Sequence, residues 1–145
     1  MCIRDRLYWH DELAERGGWL VVDEAFIDCT PEHSLAAYSD MPGLIVLRSF
    51  GKFFGLAGLR LGFVLAAQAL LDELAALLGP WAVSGPARSV ARSLLVDGEW
   101  QRRQRERLLV DGERLKALLR DCGLPSTGGS SLFQFFCTRR AVPCV

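Results

Sequence analysis

Leu44-Ile45-Val46-Leu47-Arg48-Ser49-Phe50-Gly51-Lys52-Phe53-Phe54-Gly55-Leu56-Ala57-Gly58-Leu59-Arg60-Leu61-Gly62-Phe63-Val64-Leu65-Ala66 carries the pattern from which the architecture follows. Its first four residues form a continuous apolar run, the mark of a strand buried on both faces, as in a parallel sheet. The run ends at Arg48-Ser49, and a loop rich in glycine and phenylalanine, residues 50–55, comes next. Gly58 leads into a third strand, expected over Arg60 to Ala66. Upstream, Trp19-Leu20-Val21-Val22 repeats the continuous apolar pattern and stops at Asp23-Glu24. An acidic residue therefore stands just past the carboxyl end of one strand, and a lysine just past the next. Ligands of open α/β sheets bind outside those ends. If the two strands are neighbours, Asp23 and Lys52 share a crevice.

The lysine is conspicuous by arithmetic. Of seventeen basic residues only Lys52 and Lys116 are lysines. Phe50, Phe53 and Phe54 flank Lys52, and apolar surroundings would favour its neutral amine. A neutral amine condenses with an aldehyde to a Schiff base. The aldehyde that makes best use of a nearby aspartate is pyridoxal phosphate, whose pyridine nitrogen a carboxylate keeps protonated. Ser49 and Arg60 offer a hydroxyl and a guanidinium fork for its phosphate. Each residue also has a plainer reading: Asp23 as a turn or cap residue, Lys52 as a solvated loop residue, Ser49 as a turn residue, Arg60 as a surface strand residue. Their ordered placement on successive strands favours the functional reading.

Two rival motifs are excluded. Ser49-Phe50-Gly51-Lys52 matches the S-x-x-K of penicillin-binding enzymes, but Ser39-Asp40 continues with Met41 and Lys116 with Ala117, so the S-D-N and K-T-G partners are missing. Gly55-x-x-Gly58-x-x-x-Gly62 does not have the spacing of a P-loop.

Around this centre, Leu7 to Arg16 is expected as a short amphipathic helix ended by Gly17-Gly18. Ala67 to Leu78 is expected as a helix closed by Gly79-Pro80, and Pro86 as the first turn of another. Glu99 to Cys122 has helical period, with Leu108, Leu115, Leu118, Leu119 and Cys122 on one face. Leu132 to Cys137 is expected as the last strand.

The 145 residues are enough for one ordinary domain and too few for a complete two-lobed α/β enzyme. Seventeen acidic residues balance the seventeen basic ones, so no net charge speaks for nucleic acid or a membrane surface. The arginine-rich segment from Asp97 to Asp121 holds seven basic residues and six acidic, a solvated helix face. Leu61 to Leu71 is too short to span a bilayer, and no secretory signal is visible. Five cysteines without a C-x-x-C pair read as reduced cytoplasmic thiols. Neither His10 nor His33 sits in a metal-ligand pattern.

At these residues the chain resembles the fold-type I pyridoxal-phosphate enzymes of the class I/II aminotransferase superfamily. Val22-Asp23-Glu24-Ala25-Phe26-Ile27-Asp28 is similar to that family's D-E-A-[YF] segment, and Arg48 to Gly62 to its Schiff-base segment. The likeness covers roughly Leu7 to Cys137. The branch it resembles most is the threonine-phosphate decarboxylases of cobalamin synthesis, then the histidinol-phosphate aminotransferases. The resemblance implies that Lys52 holds pyridoxal phosphate and later moves protons. It implies that Asp23 pairs with the pyridine nitrogen, that Ser49 and Arg60 bind the phosphate, and that Phe26 lies against the cofactor. Phe26 stands where many relatives have a tyrosine, and Gly51 where many have a hydroxyl residue.

The implied fold is α/β: the partial large domain of a pyridoxal-phosphate transferase, with a mixed, mostly parallel sheet, and the start of a small α+β domain. Residues 7–100 would be the second half of the large domain, and 101–145 a linker helix with the start of the small one. The family's glycine-rich loop, ring-stacking aromatic and substrate-binding arginine find no counterpart here, so a fragment is expected, with catalytic inactivity of the isolated chain as a third alternative. The first six residues do not resemble family sequence. The expected partner is a small amino-acid phosphate, with neither nucleic acid nor membrane, and the expected parent is a cytoplasmic homodimer.

Overall fold

A computed structural model describes residues 2–138. The chain divides between Val96 and Asp97 into two compact units.

The first unit begins with α1 (Ile3–Ala14), then β1 (Leu20–Asp23), β2 (Leu44–Ser49), β3 (Gly62–Ala66), α2 (Gln68–Leu78) and α3 (Gly85–Val96). Helix α1 starts four residues before the expected Leu7. The Asp5 carboxylate accepts the Cys2 backbone N–H at 3.2 Å, which satisfies one free donor at the helix start. Ile3 and Leu7 of α1 pack on the core. At its other end Gly17, at φ +67°, and the Gly18 N–H bonded to the Leu13 carbonyl at 2.8 Å turn the chain toward β1.

The sheet runs β1-β2-β3. Strands β1 and β2 are parallel, with Asp23 opposite Leu47. Strands β2 and β3 are antiparallel, with Ser49 opposite Gly62. The sheet is mixed, and these strands supply one pairing of each kind. Strand β3 begins at Gly62, two residues after the expected Arg60, because residues 57–59 form a 3₁₀ turn that Arg60 closes.

The expectation that β1 and β2 are buried on both faces needs correction at β1, whereas β2 has no exposed residue. Leu20, Val22, Leu44, Val46 and Leu65 share one face with the core around Leu35, against Ile3, Leu7 and Met41. Alternate residues point the other way. There Val21 is 55% exposed and Val64 37%. Among the described residues only one face of β1 is covered.

The second unit holds α4 (Gly98–Asp121) and a hairpin of β4 (Ser126–Ser130) and β5 (Phe133–Phe136). The Asp97 carboxylate caps α4 by accepting the Trp100 N–H at 2.8 Å. Strand β4 was not expected: Ser126-Thr127-Gly128-Gly129-Ser130 has no apolar alternation, and its register shifts between Ser126 and Gly128. It holds its place by pairing with β5. Of the expected apolar face of α4, Leu115, Leu118 and Cys122 are exposed. Cys144 lies outside the described residues, and Cys2, Cys122 and Cys137 are free thiols.

Candidate functional site

The loop after β2 is built by its phenylalanines. Phe50 and Phe53 are fully buried and Phe54 nearly so. Phe50 and Phe54 stack at 4.1 Å between centroids, and Phe53 meets Phe54 edge-on at 5.0 Å. The Phe50 N–H bonds the Leu61 carbonyl at 3.2 Å, and the Leu56 N–H bonds the Phe50 carbonyl at 3.1 Å, so the loop closes at its base. Gly55, at φ +68°, completes a turn whose N–H bonds the Lys52 carbonyl at 3.0 Å.

With three rings turned inward, Lys52 is left on the outside. It is exposed, so the expected apolar enclosure of its amine is absent. The rings flank Lys52 in sequence but pack into the core, away from it. The ring that meets the amine comes from the other segment: Lys52 Nζ sits 5.6 Å from the centroid of Phe26, a cation–π distance.

Ser49, Gly51, Lys52, Ala57, Arg60, Leu61 and Gly62 line a hollow of about 270 Å³. Three of the expected residues, Ser49, Lys52 and Arg60, thus share one concavity, while Phe26 does not line it, although its ring meets Lys52. The Ser49 hydroxyl oxygen accepts the Gly51 N–H at 3.1 Å, which fixes it at the strand end. A Cβ on Gly51 would lie 3.3 Å from the Ala57 Cα, so the loop and the 3₁₀ turn approach too closely for an easy side chain there. Arg60 is the one non-glycine residue with positive φ among the described residues, at φ +50° and ψ +44°. That left-handed conformation costs roughly 1–2 kcal/mol and marks a site where geometry outweighs strain. Arg60 is exposed and donates to the Ala57 carbonyl at 3.4 Å.

Asp23 does not line this hollow. It ends the neighbouring strand, in register with Leu47, two residues short of Ser49. One of its oxygens accepts the Ala25 N–H at 2.9 Å, so it fills the turn role while its carboxylate stays exposed. The other lysine, Lys116, lies in the second unit and pairs with Glu113 at 3.7 Å. The hollow beside it, of about 380 Å³, holds none of the expected residues.

Glu24 and Arg48, to which the sequence motifs assign no role, form a polar core beside the site. Glu24 is 3% exposed and accepts from the Leu35 N–H at 2.7 Å and the Ser34 hydroxyl at 2.6 Å. Arg48 lies 3.7 Å from its carboxylate. The available signal was two carboxylates four residues apart after one strand, with an arginine ending the next.

A hydroxyl, a guanidinium and an amine around one hollow that Gly51 and Gly62 also line form a donor set suited to a phosphorylated ligand.

The model of the aminotransferase class I and II family matches residues 10–141. Over 128 residues the chain is 65% identical to a threonine-phosphate decarboxylase of Pseudomonas aeruginosa, covering 88% of this chain and 39% of that protein. It is 49% identical over 118 residues to a threonine-phosphate decarboxylase of Sinorhizobium sp, covering 81% and 35%. Among solved structures, histidinol-phosphate aminotransferase from Sinorhizobium meliloti, in complex with pyridoxal-5'-phosphate, superposes with a TM-score of 0.71 at 25% identity, covering 79% of this chain and 32% of that one. The chain thus spans well under half the length of the proteins it matches.

Proposed function

The chain belongs to the class I and II aminotransferase family, and on that footing we propose that it is part of a pyridoxal-phosphate-dependent decarboxylase acting on threonine phosphate. The observation that carries the reading is the hollow shared by Ser49, Lys52 and Arg60. The likeness to two threonine-phosphate decarboxylases supports the substrate. In this reading the first unit is the later half of a large cofactor domain, and the second opens a small domain. The parent is a cytoplasmic homodimer.

The residues present fit the cofactor. The Ser49 hydroxyl and the Arg60 guanidinium bind its phosphate. Asp23, at the end of the neighbouring strand and outside the hollow, would pair with the pyridine nitrogen through the carboxylate oxygen its turn leaves unused. The Lys52 amine is the point of covalent attachment and carries a proton during turnover. The Phe26 ring gives that amine a fixed seat and offers no hydroxyl. Once bound, the cofactor supplies an electron sink for the bond that breaks on the amino acid.

The test is to add pyridoxal phosphate, reduce with borohydride and map the modified residue. Labelling is expected at Lys52 and is lost in Lys52→Ala. Equal labelling of Lys52 and Lys116 would overturn the site. The reaction is tested by replacing the matching segment of the Pseudomonas relative with this chain. The chimaera is expected to release carbon dioxide from threonine phosphate. Amino transfer from histidinol phosphate instead would establish the second reading, which the structural likeness to a histidinol-phosphate aminotransferase favours.

A further inference from the structure

A buried ionic cluster joins the two segments that carry the site, and the proposed chemistry makes no use of it. Arg48 lies next to Ser49 on β2, with its side chain 21% exposed. Its guanidinium reaches the Glu24 carboxylate at 3.7 Å and contacts the Asp28 carboxylate directly. Glu24 and Asp28 stand on either side of Phe26, two positions away in each direction. The turn between them is tight: the Ile27 N–H bonds the Glu24 carbonyl at 3.1 Å. Glu24 is itself fixed by Ser34, by the Leu35 N–H and by Arg6 at 3.4 Å. The segment that carries Phe26 is therefore gripped before and after the ring by a residue of the strand that leads to Lys52.

A buried ion pair stabilises little compared with well-packed apolar side chains. What it supplies is direction: the planar fork donates one hydrogen bond to the Asp28 carboxylate and one to the Ser34 hydroxyl at 3.4 Å, and Ser34 in turn donates to Glu24, so the guanidinium faces both carboxylates in one orientation. We propose that Arg48 is a positioning residue: by holding Glu24 and Asp28 together it sets the Phe26 ring under the Lys52 amine. Its bearing on cofactor attachment rests on the function proposed above, while the geometric statement does not.

The chain's two lysines make a direct test possible in the cofactor-free protein. With lysine labelled by ¹³C at Cε, the NMR spectrum has two side-chain signals. The Phe26 ring current is expected to displace the Lys52 signal upfield of the Lys116 signal, and Phe26→Leu removes the displacement. Asp28→Asn, which keeps the side chain's shape, is expected to collapse most of it. Arg48→Lys, which reaches one carboxylate instead of two, collapses it as well. In the Phe26→Leu background neither change moves the signal further, because both act through the ring. Circular dichroism checks that each variant is folded, and Asp28→Asn decides if Arg48→Lys is not. A Lys52 signal that stays displaced in folded Asp28→Asn overturns the proposal. So does a Lys52 signal that is undisplaced in the parent chain. No cofactor enters this experiment, so failure of the borohydride labelling strikes the functional reading alone.

Discussion

Two arginines of this chain each hold two carboxylates, and they do so in different worlds. Arg48 bridges Glu24 and Asp28, the latter twenty positions away in sequence, in an interior where the Glu24 side chain is 1% exposed. Arg102 bridges Glu99 and Glu106, three and four positions away on one face of α4, with all three side chains more than half exposed. On a list of ion pairs the two look alike. Physically they differ in what surrounds them. Water screens and competes for the charges on α4, and holding long side chains in one geometry costs entropy. The Glu24 side chain is shut off from solvent, which therefore does not take over when a partner is lost. The interior cluster ties distant segments into a site, whereas the surface pairs support a helix already closed by its own backbone.

The comparison breaks first at its strongest point. Glu24→Ala leaves Arg48 and Arg6 without their shared carboxylate and orphans the Leu35 N–H. Removing one partner of a buried pair costs about 3–5 kcal/mol. Denaturant unfolding of the first unit is expected to show a loss of that size, and it persists at high salt. A loss below about 1 kcal/mol would put the cluster in the same class as the surface pairs.

The second unit depends more on close backbone approach. Gly129 of β4 has φ +153°, and a Cβ there would collide with the Phe133 carbonyl oxygen. Gly129→Ala is expected to cost about 1–3 kcal/mol from the backbone conformation alone, with the clash in addition. It should loosen the hairpin and leave the first unit intact. Hydrogen exchange at the β4 and β5 amides is the measurement, and unchanged protection there contradicts the account.

These contrasts explain what could be read from the residues. β1 and β2 were legible because continuous apolar runs stop at polar residues, α2 and α3 because glycine and proline punctuate them, and α4 because its leucines recur with helical period. The hollow was legible as a set of residue types, Ser49, Lys52 and Arg60, at ordered places. Its environment was not. Neighbours in sequence such as Phe50, Phe53 and Phe54 alternate around the chain, so rings beside Lys52 in the text lie away from it in space. The Phe26 ring meets it from twenty-six residues upstream. Continuous apolar residues likewise say what a strand tolerates on both faces, not what covers them, and Val21 is exposed for that reason. Strand β4 was illegible because glycine and serine carry no period. The Arg48 cluster could not be read because a charge in sequence does not reveal whether water surrounds it.

The smallest effect belongs to Arg102, and pH gives it a signature. The Glu99 carboxyl is held below its ordinary 4.5, first by the hydrogen bond from Arg102 and then by that residue's charge. A carboxylate whose pKa is depressed by folding contributes stability that is fully present above its ordinary value. That contribution is lost as the pH falls through the depressed one. Arg102→Gln is therefore expected to lower the melting temperature slightly at pH 7. The gap between variant and parent should shrink as the pH falls below 4.5, because the parent then loses what the variant already lacks. About 1 M salt, which cuts the screening length to about 3 Å, should shrink the same gap at neutral pH. Glu24→Ala keeps its deficit in that salt, since no counter-ion reaches a carboxylate enclosed by Ser34, Leu35 and Arg48. An Arg102 gap that survives both acid and salt would mean that the surface pair is shielded as the interior one is, and the distinction between the two arginines would fall.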